Sequence, residues 1–379
     1  MAVDEILAYI QQWRNLPIGQ RAREAVSLLD SVLNQYKDGG ITPVVQSKAV
    51  AVEVMFKLMD NSDGIKLRNQ QTVGEAMQHL IEGRDLPAWK GHNFISEVKK
   101  MRQHVVWQRY LSAWTQGKKM WCRLRGKEPF ETVPISIAVI SDFYRLRDLT
   151  DSDIADVAEL MSRSPEHLQR TARAIVGYFT QIFHLKRSLE AECALTEQEE
   201  QAFDIQINNL EENIHGQIED SATPYLEALR NRDLTFTTGD EFAKFIHYLV
   251  VQHLRGPGWE TRVRQGLRRS GYSEAITGVL RHIFANNIAY SLFIQRKDLH
   301  IALLESPPDV EFITGDQPVL NTHARHGVVP EKTQLYYPLA PRLAFLLTAE
   351  PAAPGREIVA LSSGEVATYN ERIMAVAHQ

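Results

Sequence analysis

The chain has 379 residues, of which 44% are hydrophobic and 16 are prolines, a composition typical of globular domains and not of a disordered protein. Its formal net charge of -5 excludes a surface that is basic throughout. Cys122 and Cys193 lack the spacing of a zinc site, and no apolar run approaches the ~20 residues that span a bilayer. These features predict a soluble, cytoplasmic protein with no membrane partner.

Residues 1–95 are predicted to form a helical module of their own. Apolar residues recur there at intervals of three and four in three segments, which are separated at Pro17, at Gly39-Gly40 and at Asp60 to Gly64. These apolar stripes exceed what a solvated surface layer needs, so we expect the module to drive homo-oligomer formation. Packing of the module on residues 96–379 alone is the open alternative.

The stretch from Lys99 to Lys127 contains nine basic residues and no acidic one, interleaved with three tryptophans and a tyrosine. Cations that neutralise phosphates, next to aromatic faces that stack on bases, are what binding of single-stranded nucleic acid requires. The candidate nucleic-acid-binding residues are Lys99, Lys100, Arg102, Arg109, Lys118, Lys119 and Arg123. A β-hairpin that exposes Lys118 and Lys119 and buries the tryptophans explains the same pattern, and we favour that interpretation for the tryptophans.

Helices are predicted one after another from about residue 149 to residue 297. Start signals, in which Thr is followed three residues later by an acid, occur at Thr150, Thr196 and Thr238, each before apolar residues at helical spacing. His247 and His253 lie six apart, which is not the spacing of metal ligands on one helix face. We therefore interpret both histidines as packing residues or as residues that bond to a neighbouring group.

From His300 onward the apolar period changes to two, which predicts a mostly antiparallel sheet over about residues 300–365 and a closing helix over residues 366–378. The predicted strands are His300–Leu304, Glu311–Thr314, Pro318–Asn321, Leu335–Leu339, Leu343–Leu347 and Glu357–Leu361. Together with strands after His104, they predict an α+β domain over residues 96–379 whose sheet is interrupted in sequence by the helical insertion. His104 and Asp316 can then be neighbours in space.

Motifs in this domain resemble those of a known family. Glu311 to Val319 reads E-F-I-T-G-D-Q-P-V and is similar to F-I-T-S-D-N-P-V; Leu335 to Leu347 contains P-L-A-P-R-L-A-F-L-L and is similar to P-L-S-P-R-L-A-L-L-L. His104 to Leu111 is similar to H-Y-V-P-x-x-Y-L, with Trp107 in place of the proline, and Asn370 matches the asparagine of a closing helix. The family is the bacterial domain-of-unknown-function family 4238, and the resemblance covers about residues 102–379. The resemblance implies no particular reaction. Because members of the family are found among candidate anti-phage defence genes, it does imply a role in antiviral defence and a phage-encoded trigger.

The same motifs contain the candidate catalytic residues. Asp316 lies in a tight turn marked by glycine and proline, and Arg342 follows a proline at a break between two strands. With His104 as general acid or base and Arg342 as partner of a phosphate or oxyanion, they form a candidate His/Asp/Arg site. Taken singly, Asp316 is explained slightly better as a turn cap and Arg342 as a salt bridge to it.

Two hypotheses about function follow. In the first, the protein is an anti-phage effector enzyme, a nuclease-like hydrolase directed at nucleic acid; the polar trio at strand ends favours it. In the second, it is a non-catalytic sensor or binding protein whose turns are structural and whose N-terminal helices recruit a partner. A metal-dependent nuclease needs two or three carboxylates that converge on a divalent ion, and the sequence near Asp316 offers only Glu305, Asp309 and Glu311. This shortage favours the second hypothesis. A divalent metal is compatible with the sequence, but the cofactor stays unknown.

Overall fold

The computed structural model describes residues 98–191, 194–195, 197–324, 332–349 and 355–377. The predicted helical module over residues 1–95 and Cys193 lie outside these ranges. The chain divides into two compact units, of which one comprises Lys99–Ile182 and Phe203–Gln379, and Phe183–Ala202 belongs to the other. Helices and sheets are both present in the first unit, so the predicted α+β class is confirmed.

Two short strand pairs precede the helices. Strand β1 (Arg102–His104) pairs antiparallel with β4 (Val139–Ser141), and β2 (Met120–Cys122) pairs antiparallel with β3 (Phe130–Thr132). A single helical turn, α1 (Gln108–Leu111), lies between β1 and β2. Each pair forms a sheet of its own.

A series of helices then fills the predicted insertion. They are α2 (Asp151–Met161), α3 (Glu166–Glu190), α4 (Glu197–Arg230), α5 (Phe242–Leu254), α6 (Pro257–Arg269) and α7 (Thr277–Ile294). The start signal at Thr150 forms a full capping box, in which the Thr150 hydroxyl accepts from the Asp153 N–H and the Asp153 carboxylate accepts from the Thr150 N–H. The signal at Thr238 does not cap a helix, because a 3-10 turn occupies Thr235–Thr238 and α5 begins only at Phe242.

The C-terminal sheet has five strands in the order β6-β7-β8-β5-β9. The strands are β5 (His300–Glu305), β6 (Leu320–Asn321), β7 (Gln334–Ala340), β8 (Leu343–Thr348) and β9 (Gly355–Ala360). All neighbours run antiparallel except β5 and β9, which are parallel. The sheet therefore consists of strands that follow the helices, and it differs from the expected sheet shared between segments on both sides of the insertion.

The strand expected at Glu311–Thr314 is not formed. The main chain of this segment bonds to a side chain instead of to a neighbouring strand: the Ile313 N–H donates to Oδ1 of Asn370 at 3.0 Å, and Nδ2 of Asn370 donates to the Glu311 carbonyl at 2.8 Å. The Phe312 N–H donates to the Pro341 carbonyl at 2.8 Å. These bonds satisfy the main chain without a ladder.

Helices cover both faces of the C-terminal sheet. On β5, Ile301 and Leu303 belong to the core cluster that contains Phe245 of α5, whereas Ala302 and Leu304 belong to the cluster that contains Val366. This alternation follows from the two-residue period of a strand. Val366 lies on the closing helix α8 (Ser363–Val376), which begins at an N-cap on Ser362. No helix among the described residues is long and apolar enough to cross a membrane.

Candidate functional site

The motif segments of the sequence analysis pack against one another. The hydroxyl of Tyr110 lies 2.7 Å from Oγ1 of Thr314 and donates to the Pro338 carbonyl at 2.8 Å. Nε1 of Trp114 donates to the Phe312 carbonyl at 3.0 Å. Tyr110 is buried, and its ring stacks on that of Tyr337 with centroids 5.0 Å apart. The aromatic side chains at positions 110 and 114 therefore belong to the core and its edge, as the packing interpretation expected.

His104 lies at the end of β1, half-buried, with its ring next to Gln108, whose Nε2 is 2.8 Å from Nε2 of the imidazole. Burial lowers the pKa of His104, and a smaller effect of a hydrogen bond with the main chain of Ile135 opposes it. The ring is therefore neutral at neutral pH. The main-chain carbonyl of His104 accepts a hydrogen bond from the Arg255 guanidinium.

Asp316 lies against the junction between α5 and α6. A Cβ atom placed on Gly256 would lie 3.2 Å from the Asp316 carbonyl and 3.0 Å from Oε1 of Gln317, so a larger residue here would require these neighbours to move. Nε2 of Gln317 donates to the His253 carbonyl at 2.5 Å. The segments of His104 and Asp316 thus meet at neighbouring residues of one junction, Arg255 and Gly256.

Arg342 makes a different set of contacts. Its guanidinium donates to the carbonyls of Pro307 at 2.6 Å and Pro308 at 2.9 Å, and lies 3.4 Å from the Glu311 carboxylate. The side chain is 47% exposed. Arg342 fixes the turn that follows β5, and its participation in a catalytic trio with His104 and Asp316 stays a prediction.

A buried polar network lies beside these motifs, and its first half surrounds Arg255. The Arg255 side chain is 1% exposed and pairs with the carboxylate of Glu219 on α4. Its Nε donates to the Tyr144 hydroxyl at 2.5 Å, and one terminal nitrogen lies 4.0 Å from the carboxylate of Glu212. Burial raises the pKa of Glu219 to about 7, although the Arg255 charge acts against this shift. Burial also raises the pKa of Glu212.

The second half of the network surrounds Glu211. Oε1 of Glu211 accepts from the buried guanidinium of Arg281 on α7, which also donates to Glu260 of α6 at 2.8 Å. Nε2 of His282 lies 3.2 Å from the same oxygen, and Nε2 of His215 lies 3.6 Å from it. Burial opposes ionisation of Glu211, but the charge of Arg281 and the contacts with His215 and His282 together outweigh it and hold the pKa of this carboxyl far below its usual range. Burial lowers the pKa of His215 well below 6.5, so this ring is neutral.

Helix spacing and one aromatic ring bring the two halves together. Glu211, His215 and Glu219 follow one another at intervals of four residues and so share one face of α4. The ring of Tyr144 lies 5.4 Å from the guanidinium carbon of Arg255 and 5.3 Å from that of Arg281. Its centroid is also 4.6 Å from that of His215. The network is therefore continuous from His104 to α7.

Glu211, His215 and His282 form a cluster that could hold a metal ion, since one ligand atom from each lies within 4.8 Å of the others. A cleft of about 40 Å³ reaches this cluster at Glu211 and is also lined by Glu260, Arg264 and Arg281. The metal ligands predicted from the sequence were carboxylates near Asp316, so this cluster was not predicted. The spacing of Glu211 and His215 was a usable signal, but His282 joins them only through the fold.

Several cations of the basic stretch are paired with acids that lie outside the stretch. Lys99 lies 2.9 Å from Asp204, Arg109 lies 2.8 Å from Glu227, and Lys119 pairs with Glu131. Lys118 and Arg123 are exposed and make no ion pair with any residue in the described ranges. The acid-free character of this stretch in sequence is therefore only partly retained in space.

Trp121 departs from the expectation that the tryptophans are buried. It lies at the centre of β2, opposite Glu131 of β3, and is 68% exposed. Lys119 directly precedes β2 and Arg123 directly follows it, and both are exposed like Trp121. The hairpin presents an aromatic face between two cations.

A model of the family described as "Protein of unknown function (DUF4238)" matches residues 102–379, as the resemblance predicted. No curated protein and no solved structure matches the chain.

Proposed function

The chain belongs to the DUF4238 family over residues 102–379, and from its exposed basic hairpin we propose that it binds single-stranded nucleic acid as a hydrolytic effector of bacterial anti-phage defence. The observation that carries this proposal is the exposure of Trp121, 68%, at the centre of β2, with Lys119 directly before this strand and Arg123 directly after it. Stacking of a base on an aromatic side chain contributes about 1–3 kcal/mol and tolerates any sequence. The flanking cations attract the phosphates.

Hydrolysis in this proposal uses the predicted trio. His104 has a pKa lowered by burial and is neutral at neutral pH, so it can accept a proton from an attacking water. Asp316 and Arg342 serve to orient the base and to bind the phosphate. In the same proposal a phage-encoded molecule triggers the effector, and residues 1–95 assemble it into a homo-oligomer. Light scattering on a chain that begins at Asn93 tests the oligomer, because an unchanged mass would contradict it.

The binding test compares charge reversals of equal size. Lys118→Glu with Arg123→Glu, and separately Trp121→Ala, should each weaken retardation of a labelled single-stranded oligonucleotide at low salt by about tenfold or more. Lys244→Glu with Arg163→Glu, at two exposed residues outside the hairpin, is the control of equal charge and should leave binding nearly unchanged. Equal affinity of all these variants and the wild type, or no retardation of the wild type, would remove the nucleic-acid proposal.

The non-catalytic sensor is the second candidate, and one observation favours it. Tyr110, Thr314 and Asn370, all from the motif segments, use their polar groups to hold main chain or one another. Incubation of the wild type with labelled RNA and DNA, beside His104→Gln and Asp316→Asn, separates the two candidates. Cleavage that both variants lose supports the effector enzyme, whereas binding without cleavage supports the sensor.

A further inference from the structure

The donor atoms of the cluster on α4 and α7 already lie at separations that suit a metal. Around a cation with bonds of about 2.1 Å, neighbouring ligand atoms are about 3.0 Å apart in an octahedron and about 3.4 Å apart in a tetrahedron. The two imidazole Nε2 atoms lie 3.2 Å (His282) and 3.6 Å (His215) from Oε1 of Glu211. A cation would therefore need only small side-chain movements.

His215 supplies the second observation. Its side chain is 0% exposed, and neither ring nitrogen has a hydrogen-bond partner among the described residues. The 3.6 Å contact with Glu211 is too long for a hydrogen bond. A buried polar group without a partner costs about 1–3 kcal/mol, and such groups are rare in folded proteins. A cation bound by the imidazole removes that cost.

The carboxylates of the surrounding network outnumber its guanidiniums by one. The acids are Glu211, Glu212, Glu219 and Glu260, and the guanidiniums that pair with them are those of Arg255, Arg264 and Arg281. Buried charges are stable only when they are balanced. The excess carboxylate would offset part of the charge of a bound divalent cation.

We propose that Glu211, His215 and His282 bind one divalent first-row transition metal ion. Two imidazoles and one carboxylate suit zinc, manganese or iron better than calcium or magnesium, which prefer oxygen ligands. Arg281 donates to Oε1 of Glu211, the oxygen that faces both imidazoles, and carboxylates that bind metals are commonly hydrogen-bonded to such a partner. Three protein ligands leave a coordination position for water or an anion, the pattern of catalytic rather than closed structural sites. The cleft lined by Arg264 and Arg281 gives such an anion a path to Glu211.

The test uses the full chain, stripped with a chelator and titrated with Co²⁺ as a coloured substitute for the native ion. We expect visible absorption bands that saturate at one equivalent and a melting temperature that rises with Co²⁺ or Zn²⁺. The proposal does not depend on nucleic-acid binding, so these results and those of the retardation assay stand separately. No saturation near one equivalent in the wild type would overturn the proposal.

Variants locate the ion. His215→Phe removes an imidazole that makes no hydrogen bond within the described ranges, so it should fold and lose affinity for Co²⁺ by more than about tenfold. His282→Gln should lose affinity for Co²⁺ as well, and this variant provides the test if His215→Phe fails to fold. His253→Gln is the matched control, because His253 is a half-buried histidine that bonds to the Val319 carbonyl and lies outside the cluster. Wild-type affinity in His215→Phe and His282→Gln would contradict the assignment.

Discussion

Two arginines of this molecule make similar contacts in opposite surroundings. Arg255, with 1% of its side chain exposed, bonds to the His104 carbonyl and to the carboxylate of Glu219. Arg342, with 47% exposed, bonds to two proline carbonyls and lies 3.4 Å from the carboxylate of Glu311. The contacts are alike, but water screens only the second set. Burial, and not the number of bonds, decides which arginine the fold depends on.

A residue that belongs to a sequence motif and a residue on which the fold depends are not the same here. Arg342 belongs to the sequence motif that resembles the family, yet its guanidinium fixes a surface turn. No function was predicted for Arg255 from the sequence, yet its side chain joins His104, Tyr144 and α4 in one buried network.

The largest expected effect is that of removing the buried guanidinium. Arg255→Met leaves Glu219 without its partner, so the free energy of unfolding at pH 8 should fall by about 3–5 kcal/mol. Arg342→Met is the matched control and should cost about 1 kcal/mol or less. Urea denaturation of both variants measures the difference, and equal losses would refute the role of burial.

A second substitution sharpens this result. The pKa of Glu219, about 7 in the native protein, should rise further without Arg255, because the attraction that opposes the effect of burial is gone. The folded state of Arg255→Met then binds more protons than its unfolded state. The free energy of unfolding of this variant should therefore fall more steeply than that of the wild type as the pH rises from 5 to 8. Adding Glu219→Gln should remove this extra slope. A slope that persists in the double variant would exclude Glu219 as its source.

The next effect concerns His247, whose pKa burial lowers from 6.5 to about 4. The unfolded state therefore takes up a proton near pH 6.5 and the folded state only near pH 4, so stability is lost as the pH falls through this window. We expect His247 to account for about 2–3 kcal/mol of the loss. Denaturation curves at pH 7 and pH 4.5 should show a smaller difference for His247→Gln than for wild type. The exposed His167→Gln should not reduce the difference.

A smaller effect is expected at Asn370. Asn370→Ala removes two hydrogen bonds to the main chain of residues 311–313, which should cost about 1–2 kcal/mol. Asn370→Asp keeps the acceptor for the Ile313 N–H and loses the donor to the Glu311 carbonyl, so its loss should be intermediate at most. Thermal melting compares the two, and no loss in Asn370→Ala would mean that the loop is held by other contacts.

These particulars show how far the sequence could predict the fold. Strands β5, β7 and β8 were found because their apolar period is local, and the capping box at Thr150 because it spans four residues. The prediction of a strand at Glu311–Thr314 was wrong because Asn370, far along the chain, supplies hydrogen bonds to this segment. The exposure of Trp121 was missed because hydrophobicity alone favours burial.

The candidate site was harder to predict than the fold. The segments of His104 and Asp316 do meet at one junction, although the strand expected before Asp316 and the sheet expected to join the two segments are not formed. The buried network needs contacts between residues about 70 positions apart, such as Glu211 with Arg281 and His282. Charged residues are rarely buried, so composition gave no reason to expect them in a core. Pairing that hides such charges is visible only in three dimensions.

The most direct test of a metal centre in this network is anomalous diffraction from crystals of the full chain grown with Co²⁺ or Zn²⁺. The account predicts one strong peak at about 2.0–2.3 Å from the carboxylate of Glu211 and from a ring nitrogen each of His215 and His282. Data collected above and below the absorption edge of the added metal identify the ion. A well-ordered network with no peak at these three side chains, or a peak only elsewhere, would contradict the account.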